Sequence, residues 1–419
     1  MIQLICIFAL KRDKIMPNKK RKKKKWIRPM HTVTRIVLGP ILRLLSKIIY
    51  HCTIKRYYKD KRQFLILSNH QTSFDQFFVG LSFKKHVYYI TNDDLFSNGF
   101  TSWLINFLVK PIPIKKGATD VKAVMDCMRV AKEGGSIVVF PEGNRTYSGK
   151  TGEIKDSIAQ LAKALKLPIC FYHIKGGFGV EPRWAGTQRR GKMVSEVYEI
   201  LEYENFKDMP NDELYSLICD KLYINECHTG GEFYSKKSAE YIERAFYYCP
   251  KCGFGEWYSN RDTFTCKKCG TSAKYLPSKE IVSLNGDFEF KHTDEWWDAQ
   301  YSFVRSLDLT KYIDTPLFTD TVNLWEVIPC KKKIPLGNDI KLSAYGDRYE
   351  LDFGDRCEVV SFEDITSAGV LGKNKFNYYF DKKVFQIKSD ERFCALKYVN
   401  IYYHAFNTRK GDTNATLGL

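Results

Sequence analysis

At 419 residues and 44% hydrophobic content, the chain is long enough for two or three domains with real cores. Its formal charge of +18 at pH 7 points to an anionic partner, either a lipid surface or nucleic acid. No run approaches the roughly 20 apolar residues of a membrane-crossing helix, and the opening "MIQLICIFAL" lacks the basic flank and cleavage site of a secretory leader. Thirteen cysteines is an odd number, and nothing else suggests secretion, so the thiols are expected to be reduced and intracellular. Met16 is an alternative start, which would leave residues 1–15 outside the protein.

Residues 1–30 hold eleven Lys/Arg against one Asp, with Lys19 to Lys25 unbroken, and are expected to form a disordered basic tail. Such a tail suits an anionic membrane surface. In "TRIVLGPILRLLSKIIYH", residues 34–51, Ile36, Val37, Ile41, Leu44, Leu45, Ile48 and Ile49 are interrupted by Arg35, Arg43 and Lys47. That pattern predicts a helix lying in a membrane interface, broken near Gly39-Pro40; packing into a core is the alternative.

Strand-like runs follow at Phe64–Ser68, Val87–Ile90, Pro111–Ile114, Ser136–Phe140, Ile169–Ile174 and Val194–Leu201. Helix-like stretches such as Asp120–Lys132 and Ser157–Leu165 lie between them, which predicts an α/β domain with a largely parallel sheet over 31–247. Residues 208–247 read as helical and close it. From about 280 the chain alternates apolar and polar residues around Gly and Asp turns, then enters "CALKYVNIYYHAF". This predicts a small antiparallel barrel or sandwich with a terminal helix over 280–419.

Two stretches carry chemistry. In "LSNHQTSFD", a strand runs into a polar turn holding Asn69, His70 and Asp75. Such a turn lets the carboxylate fix one imidazole nitrogen as N–H and leave the other to accept a proton. In "IVVFPEGNRTYSG", another strand ends at Glu142, Gly143 and Arg145, where α/β sheets place ligand-binding groups. Between them "VKPIPIKKG" ends in Lys115-Lys116.

Together these stretches resemble the glycerolipid acyltransferases, most closely the 1-acylglycerol-3-phosphate acyltransferase family. Its NHxxxxD motif is matched by residues 69–75, and its FPEGTRS motif by residues 140–146, with Asn144 and Thr146 at the two variant places. The resemblance covers roughly residues 30–230. It implies His70 as general base, Asp75 as the group orienting it, and a substrate site of Asn69, Glu142, Gly143 and Arg145. Lys116 takes the place of the family's usual Arg. The implied reaction moves an acyl group from acyl-CoA or acyl-carrier protein to the sn-2 hydroxyl of lysophosphatidate, at the cytoplasmic face of a membrane. Arg145 and Lys116 would hold the phosphate. Glu142 is expected to orient Arg145 or the glycerol. The same motifs serve acylation of glycerol 3-phosphate or another lysophospholipid. The apolar stretch 95–109 lines an acyl groove or packs as a core helix.

A rival of another class is a nucleic-acid- or lipid-binding protein using the basic tail and the cysteines. Nucleic acid is disfavoured, because the chemistry-bearing residues fall in one ordered α/β unit. The cysteines run Cys249-x2-Cys252-x13-Cys266-x2-Cys269, each pair followed by Gly. Four thiolates at this spacing suit a closed structural Zn2+ site, and residues 248–275 resemble a zinc ribbon. The last domain loosely resembles PH- or GRAM-like barrels.

Overall fold

The computed structural model describes residues 25–92, 100–114, 121–328, 333–413 and 415–418. Most of the basic tail, and Lys116, lie outside the described residues.

The first part is a seven-stranded sheet flanked by helices. In chain order it comprises α1 (Pro29–Ile49), β1 (Cys52–Ile54), β2 (Leu65–Ser68), α2 (Asp75–Ser82), β3 (Val87–Asn92), α3 (Phe100–Leu108) and β4 (Ile112–Ile114). There follow α4 (Val121–Lys132), β5 (Ser136–Val139), α5 (Ser157–Leu165), β6 (Ile169–Lys175), the one-turn α6 (Gly177–Val180), β7 (Met193–Leu201) and α7 (Asn211–Leu222). The strand order is β1-β7-β6-β2-β5-β3-β4, and only the β6–β7 pair is antiparallel. The central strand explains the layering. Leu65 and Leu67 pack with α4, α5 and α7, while Ile66 packs with Phe78 and Val79 of α2 on the other face. The neighbours β5, β2 and β6 are parallel, so the turns that follow all three emerge at one edge of the sheet.

Helix α1 runs unbroken through Pro40, contrary to the expected break. Proline removes one helical N–H bond. Side chains on both sides of it hold the helix in line: Arg35 Nη2 donates to the Phe83 carbonyl at 2.9 Å, and Arg43 Nη2 to that of Leu81 at 2.6 Å. The polar side of α1 thus faces protein, while Ile36, Val37, Ile41, Leu44, Leu45 and Ile48 face outward. Trp103 and Phe107 of α3 are exposed as well, so α3 is not a core helix. No helix among the described residues is long and apolar enough to cross a membrane.

Helix 208–247 is also corrected. After α7 the chain forms only single turns at Glu226–His228 and Ile242–Arg244. Long-range backbone bonds replace helical ones there: Tyr234 and Arg190 exchange N–H···O bonds at 2.9 Å, and Phe233 N–H donates to the Pro277 carbonyl.

The cysteine region is built from short hairpins. They are β8 (Tyr248–Cys249) with β9 (Gly253–Phe254), then the sheet β10 (Trp257–Asn260), β11 (Thr263–Cys266), β12 (Ser272–Tyr275) and β13 (Ile281–Ser283). Helix α8 (Thr293–Ser306) leads to the last sheet. Its strands are β14 (Phe318–Val327), β15 (Ile334–Ala344), β16 (Arg348–Asp352), β17 (Cys357–Ser361), β18 (Ile365–Leu371), β19 (Lys375–Phe380) and β20 (Lys383–Lys388), followed by α9 (Ala395–Lys410).

The order β17-β16-β15-β14-β20-β19-β18 puts β17 and β18 at opposite edges. Yet only three residues join them, a reach of about 14 Å. A flat sheet of that size is about 29 Å wide, so this one must curl until its edges come within about 14 Å at that end. Register shifts in the β14–β15 pairing between Val322 and Trp325 fall where β14 begins to pair with β20 on its other side as well. The β-rich expectation is met as a curled antiparallel sheet closed by α9. One apolar cluster runs from Tyr147 and Trp184 through Trp257 and Trp296 to Tyr398, so the hairpins and the barrel share a core with the edge of the α/β unit.

Candidate active site

Asp75 opens α2 and is fully buried. Its Oδ2 accepts from the backbone N–H of Gln71 at 2.6 Å and of Thr72 at 3.0 Å, and its Oδ1 from the Thr72 hydroxyl at 2.6 Å. The turn is therefore wound around this one carboxylate. Its remaining bond joins His70 Nδ1 to Asp75 Oδ2 at 2.8 Å. The His70 ring lies against Phe140, with centroids 4.4 Å apart, and is 20% exposed. Nε2 has no hydrogen-bond partner among the described residues, so it faces the open side as the nitrogen able to take a proton.

The second motif straps the first in place. Glu142 accepts the His70 N–H on Oε1 and the Gly152 N–H on Oε2, both at 2.7 Å. Thr146 N–H donates to the His70 carbonyl at 3.0 Å. Burial pushes the Glu142 carboxyl up to about 8, against the pull of those two N–H groups. Glu142 therefore holds His70 and makes no bond to Arg145, one of the two groups it was expected to orient. Gly143 sits at φ +67°, a left-handed turn that favours glycine, and no side chain crowds it. Asn69 is corrected too. Its amide is spent on the Ile174 backbone, donating to the carbonyl at 2.8 Å and accepting the N–H at 2.9 Å, so it clips β2 to β6 and has no direct line to substrate.

Arg145 is oriented by a residue the sequence did not single out. Its Nη1 donates to Glu181 Oε1 at 3.2 Å, and its other guanidinium nitrogens have no partner among the described residues. Glu181 is buried and also takes the Ser73 N–H and hydroxyl and the Tyr50 hydroxyl. Burial and that carboxylate push Tyr50 up to about 12. Arg183 completes the arrangement. It donates to the Arg145 carbonyl at 3.1 Å, the Asn144 side chain at 3.4 Å and, from the barrel, the Gly372 carbonyl at 3.1 Å. Its guanidinium lies 4.1 Å over the Tyr147 ring, and burial, with Arg145 nearby, lowers it to about 10. Lys373 of the same barrel turn donates to the Ala185 carbonyl. A signal for these residues existed. Glu181-Pro182-Arg183 follows a buried strand and a Gly-Gly turn, the same strand-end position that the two motifs occupy.

The four cysteines converge. Cys249 and Cys269 Sγ atoms are 3.5 Å apart, Cys249 and Cys252 3.5 Å, and Cys252 and Cys266 3.6 Å. A tetrahedral zinc with bonds of about 2.3 Å sets its sulfurs about 3.75 Å apart, whereas a disulfide brings them to about 2.05 Å. Gly253 and Gly270 both take positive φ, as the tight turns after each pair require.

These turns at the ends of adjacent parallel strands define an acyltransferase domain: residues 49–174 match the family model described as Acyltransferase. Within and around that stretch the chain is similar to proteins named 1-acyl-sn-glycerol-3-phosphate acyltransferases. It is 28% identical over 160 residues to "1-acyl-sn-glycerol-3-phosphate acyltransferase BAT2, chloroplastic" of Brassica napus, covering 38% of this chain and 46% of that protein. It is 24% identical over 165 residues to a 1-acyl-sn-glycerol-3-phosphate acyltransferase of Bacillus subtilis (strain 168), covering 38% and 77%. The crystal structure of the 1-acyl-sn-glycerophosphate acyltransferase PlsC from Thermotoga maritima overlaps at a TM-score of 0.37 and 20% identity, over 46% of this chain and 80% of that one. The chain thus spans less than half the length of the Brassica relative.

Proposed function

We propose that the protein is an O-acyltransferase that moves a fatty acyl group from acyl-CoA or acyl-carrier protein to the sn-2 hydroxyl of lysophosphatidate, giving phosphatidate. The observation that carries this reading is the 2.8 Å bond from His70 to the buried Asp75, with Nε2 left open beside Phe140. The names of the relatives support the acceptor class. In the proposed step the hydroxyl proton passes to His70 Nε2 as its oxygen attacks the thioester carbon. The C–S bond then breaks, and the leaving thiolate takes the proton from the imidazolium. Arg145, aimed by Glu181, grips the phosphate with its remaining donors and so sets the hydroxyl near His70.

Two accessory roles belong to the same proposal. The four cysteines would hold one structural Zn2+, which ties the hairpins together and supplies no reacting group. The outward apolar face of α1, next to exposed Trp103 and Phe107, supports a peripheral position on the cytoplasmic face of a membrane. Vesicle binding tests the latter. Anionic vesicles should bind better than neutral ones at low salt through residues 1–30, and binding blind to both charge and salt would refute that tail as an anchor.

The activity is tested by acyl transfer on the purified full chain, with lysophosphatidate, glycerol 3-phosphate and other lysophospholipids as acceptors and both thioester donors. Transfer fastest to lysophosphatidate is expected. Preference for glycerol 3-phosphate or for another lysophospholipid would change the acceptor within the class, and no transfer to any acceptor would overturn the proposal.

A further inference from the structure

Besides the four cysteines, one other group of metal-ligating side chains is gathered among the described residues. His228 ends the short turn Glu226–His228 after α7, and His292 and Asp294 lie at the start of α8. One ring nitrogen from each histidine and one carboxylate oxygen of Asp294 fall within 4.8 Å of one another. His228 Nε2 is 3.0 Å from Asp294 Oδ2, and the two imidazole centroids are 4.6 Å apart.

From this geometry we propose a second metal site, in which His228, His292 and Asp294 hold a divalent transition-metal ion of the zinc class and fasten the segment after α7 to the start of α8.

An ion pair between His228 and Asp294 would account for one contact only. It leaves Asp294 Oδ1 and His292 Nδ1 buried with no hydrogen-bond partner. Asp294 is 7% exposed, so water does not serve that oxygen well. The nearest carboxylate on the other side, Glu295, is 3.6 Å from His292 Nδ1, too long for a hydrogen bond. Packing two tilted imidazoles side by side also gains little if both are neutral and costs energy if both are charged. A cation between them takes a lone pair from each ring and the charge of the carboxylate.

The donor set narrows the ion. Two imidazoles and one carboxylate suit zinc, iron, nickel or cobalt, whereas calcium and magnesium prefer an all-oxygen shell. Ligand atoms on a tetrahedral ion with bonds of about 2.0 Å stand about 3.3 Å apart. The His228–Asp294 pair is already near that spacing. The His228 side chain is 52% exposed, which gives it room to swing inward and gives the ion a way in. Asn225 Nδ2 donates to Asp294 Oδ2 at 2.7 Å and orients the carboxylate, as an outer-shell partner does.

The test strips the full chain of metal and reloads it with Co2+ alone, reading metal content and absorption together. Two equivalents per chain are expected. One should show thiolate-to-cobalt charge-transfer bands from the cysteines, and the other should lack them. His228→Ala should remove the second equivalent and leave those bands unchanged. Asn225→Ala, a milder change, should weaken only the second by about 10–100-fold. In the unmutated chain, two imidazole proton resonances should shift with the second equivalent, which keeps the test independent of any variant's folding. Saturation at the single thiolate-bound equivalent would overturn the proposal. So would a second equivalent that gel filtration removes or that His228→Ala leaves in place. Absence of the charge-transfer bands with the second equivalent intact would count against the cysteine site alone.

Discussion

The two sides of the candidate active site are built in opposite ways. His70 and Asp75 are five residues apart in one turn, and that turn is organised by Asp75 itself. The Arg145 side is assembled from afar. Glu181 is 36 residues away, and Arg183 reaches a barrel carbonyl 189 residues beyond itself. A base held by its own turn is preorganised by local geometry. An anion-binding group held by three distant segments depends on how those segments pack. The first side should therefore fail chemically when it is broken, and the second should fail in binding and stability together.

The largest effect should come from His70→Ala. General bases contribute about 10²–10⁴-fold, so kcat should fall by that much. The melting temperature should move little, because the ring is partly exposed and Asp75 keeps its bonds from Gln71 and Thr72 when the ring is gone. Near-normal turnover in the folded variant would remove His70 from the mechanism. Asp75→Asn sharpens the contrast. Its amide can keep its oxygen on the two backbone N–H groups, which both fall on Oδ2, and turn its own N–H group to the Thr72 hydroxyl, so activity should drop through the lost charge beside His70 more than stability does.

Next comes Arg145→Ala. Loss of a charge-assisted bond costs about 1.5–3 kcal/mol, so KM for a phosphate-bearing acceptor should rise about 10–100-fold while KM for the thioester changes little. A rise in donor KM instead would assign Arg145 to the coenzyme or carrier. Arg183→Lys should move acceptor KM the same way by less, with a lowered melting temperature, since lysine keeps the charge but loses the fork that spans Arg145 and Gly372. An acceptor KM unmoved by Arg183→Lys would show that the barrel does not tune the phosphate side.

This asymmetry also sets what the sequence made legible. The sheet strands could be found because each is a short apolar run closed by a turn, and the pairing of His70 with Asp75 could be found because its hydrogen bonds are local. The cysteine pairs were legible for the same reason: a knuckle is five residues long. Glu181 and Arg183 were missed because their partners lie far along the chain. The structural bonds of Glu142 and Asn69 were hidden in the same way. Their residue types suited substrate contact, but tertiary backbone groups at His70, Gly152 and Ile174 claim them. The helix expected over 208–247 failed because backbone bonds to Arg190 and Pro277 outweigh local preference. The inverted face of α1, with arginines inward, could not be read until the carbonyls of α2 that they serve were in place.

A smaller effect on turnover is expected from Cys266→Ser. Metal loss should loosen β10–β12 first, seen as faster amide exchange there, because metal binding and folding of such a cluster are coupled. Turnover should change by less than about tenfold, equivalent to about 1.4 kcal/mol. The shared core through Trp257 and Trp296 is apolar and does not depend on an ion. Complete loss of transfer with the α/β unit still folded would mean that the cysteine hairpins act on the site through that core.

The smallest effect on turnover, and the one that joins the two sides, belongs to Glu142→Gln, which is read in stability. Glu142 sits on the loop that carries Arg145 and holds the backbone of His70, so it is the strap between the local pair and the distant one. Burial raises its carboxyl from 4.5 to about 8 in the folded chain. Between those values the folded state holds a proton that the unfolded state has lost. Stability from this group is therefore full below about 4.5, falls as pH rises and is gone above about 8. Glutamine cannot titrate, so its stability should lack that slope. It also turns an N–H group toward one of the two backbone donors, which lowers stability by about 1–3 kcal/mol at every pH. The gap between the natural protein and the variant should thus be widest near pH 4.5 and narrow toward pH 8, measured by urea unfolding across that window. A gap independent of pH would show that the His70 and Gly152 N–H groups keep the carboxylate ionised throughout. The strap would then be a charged one, fixing His70 more firmly than a neutral carboxyl does.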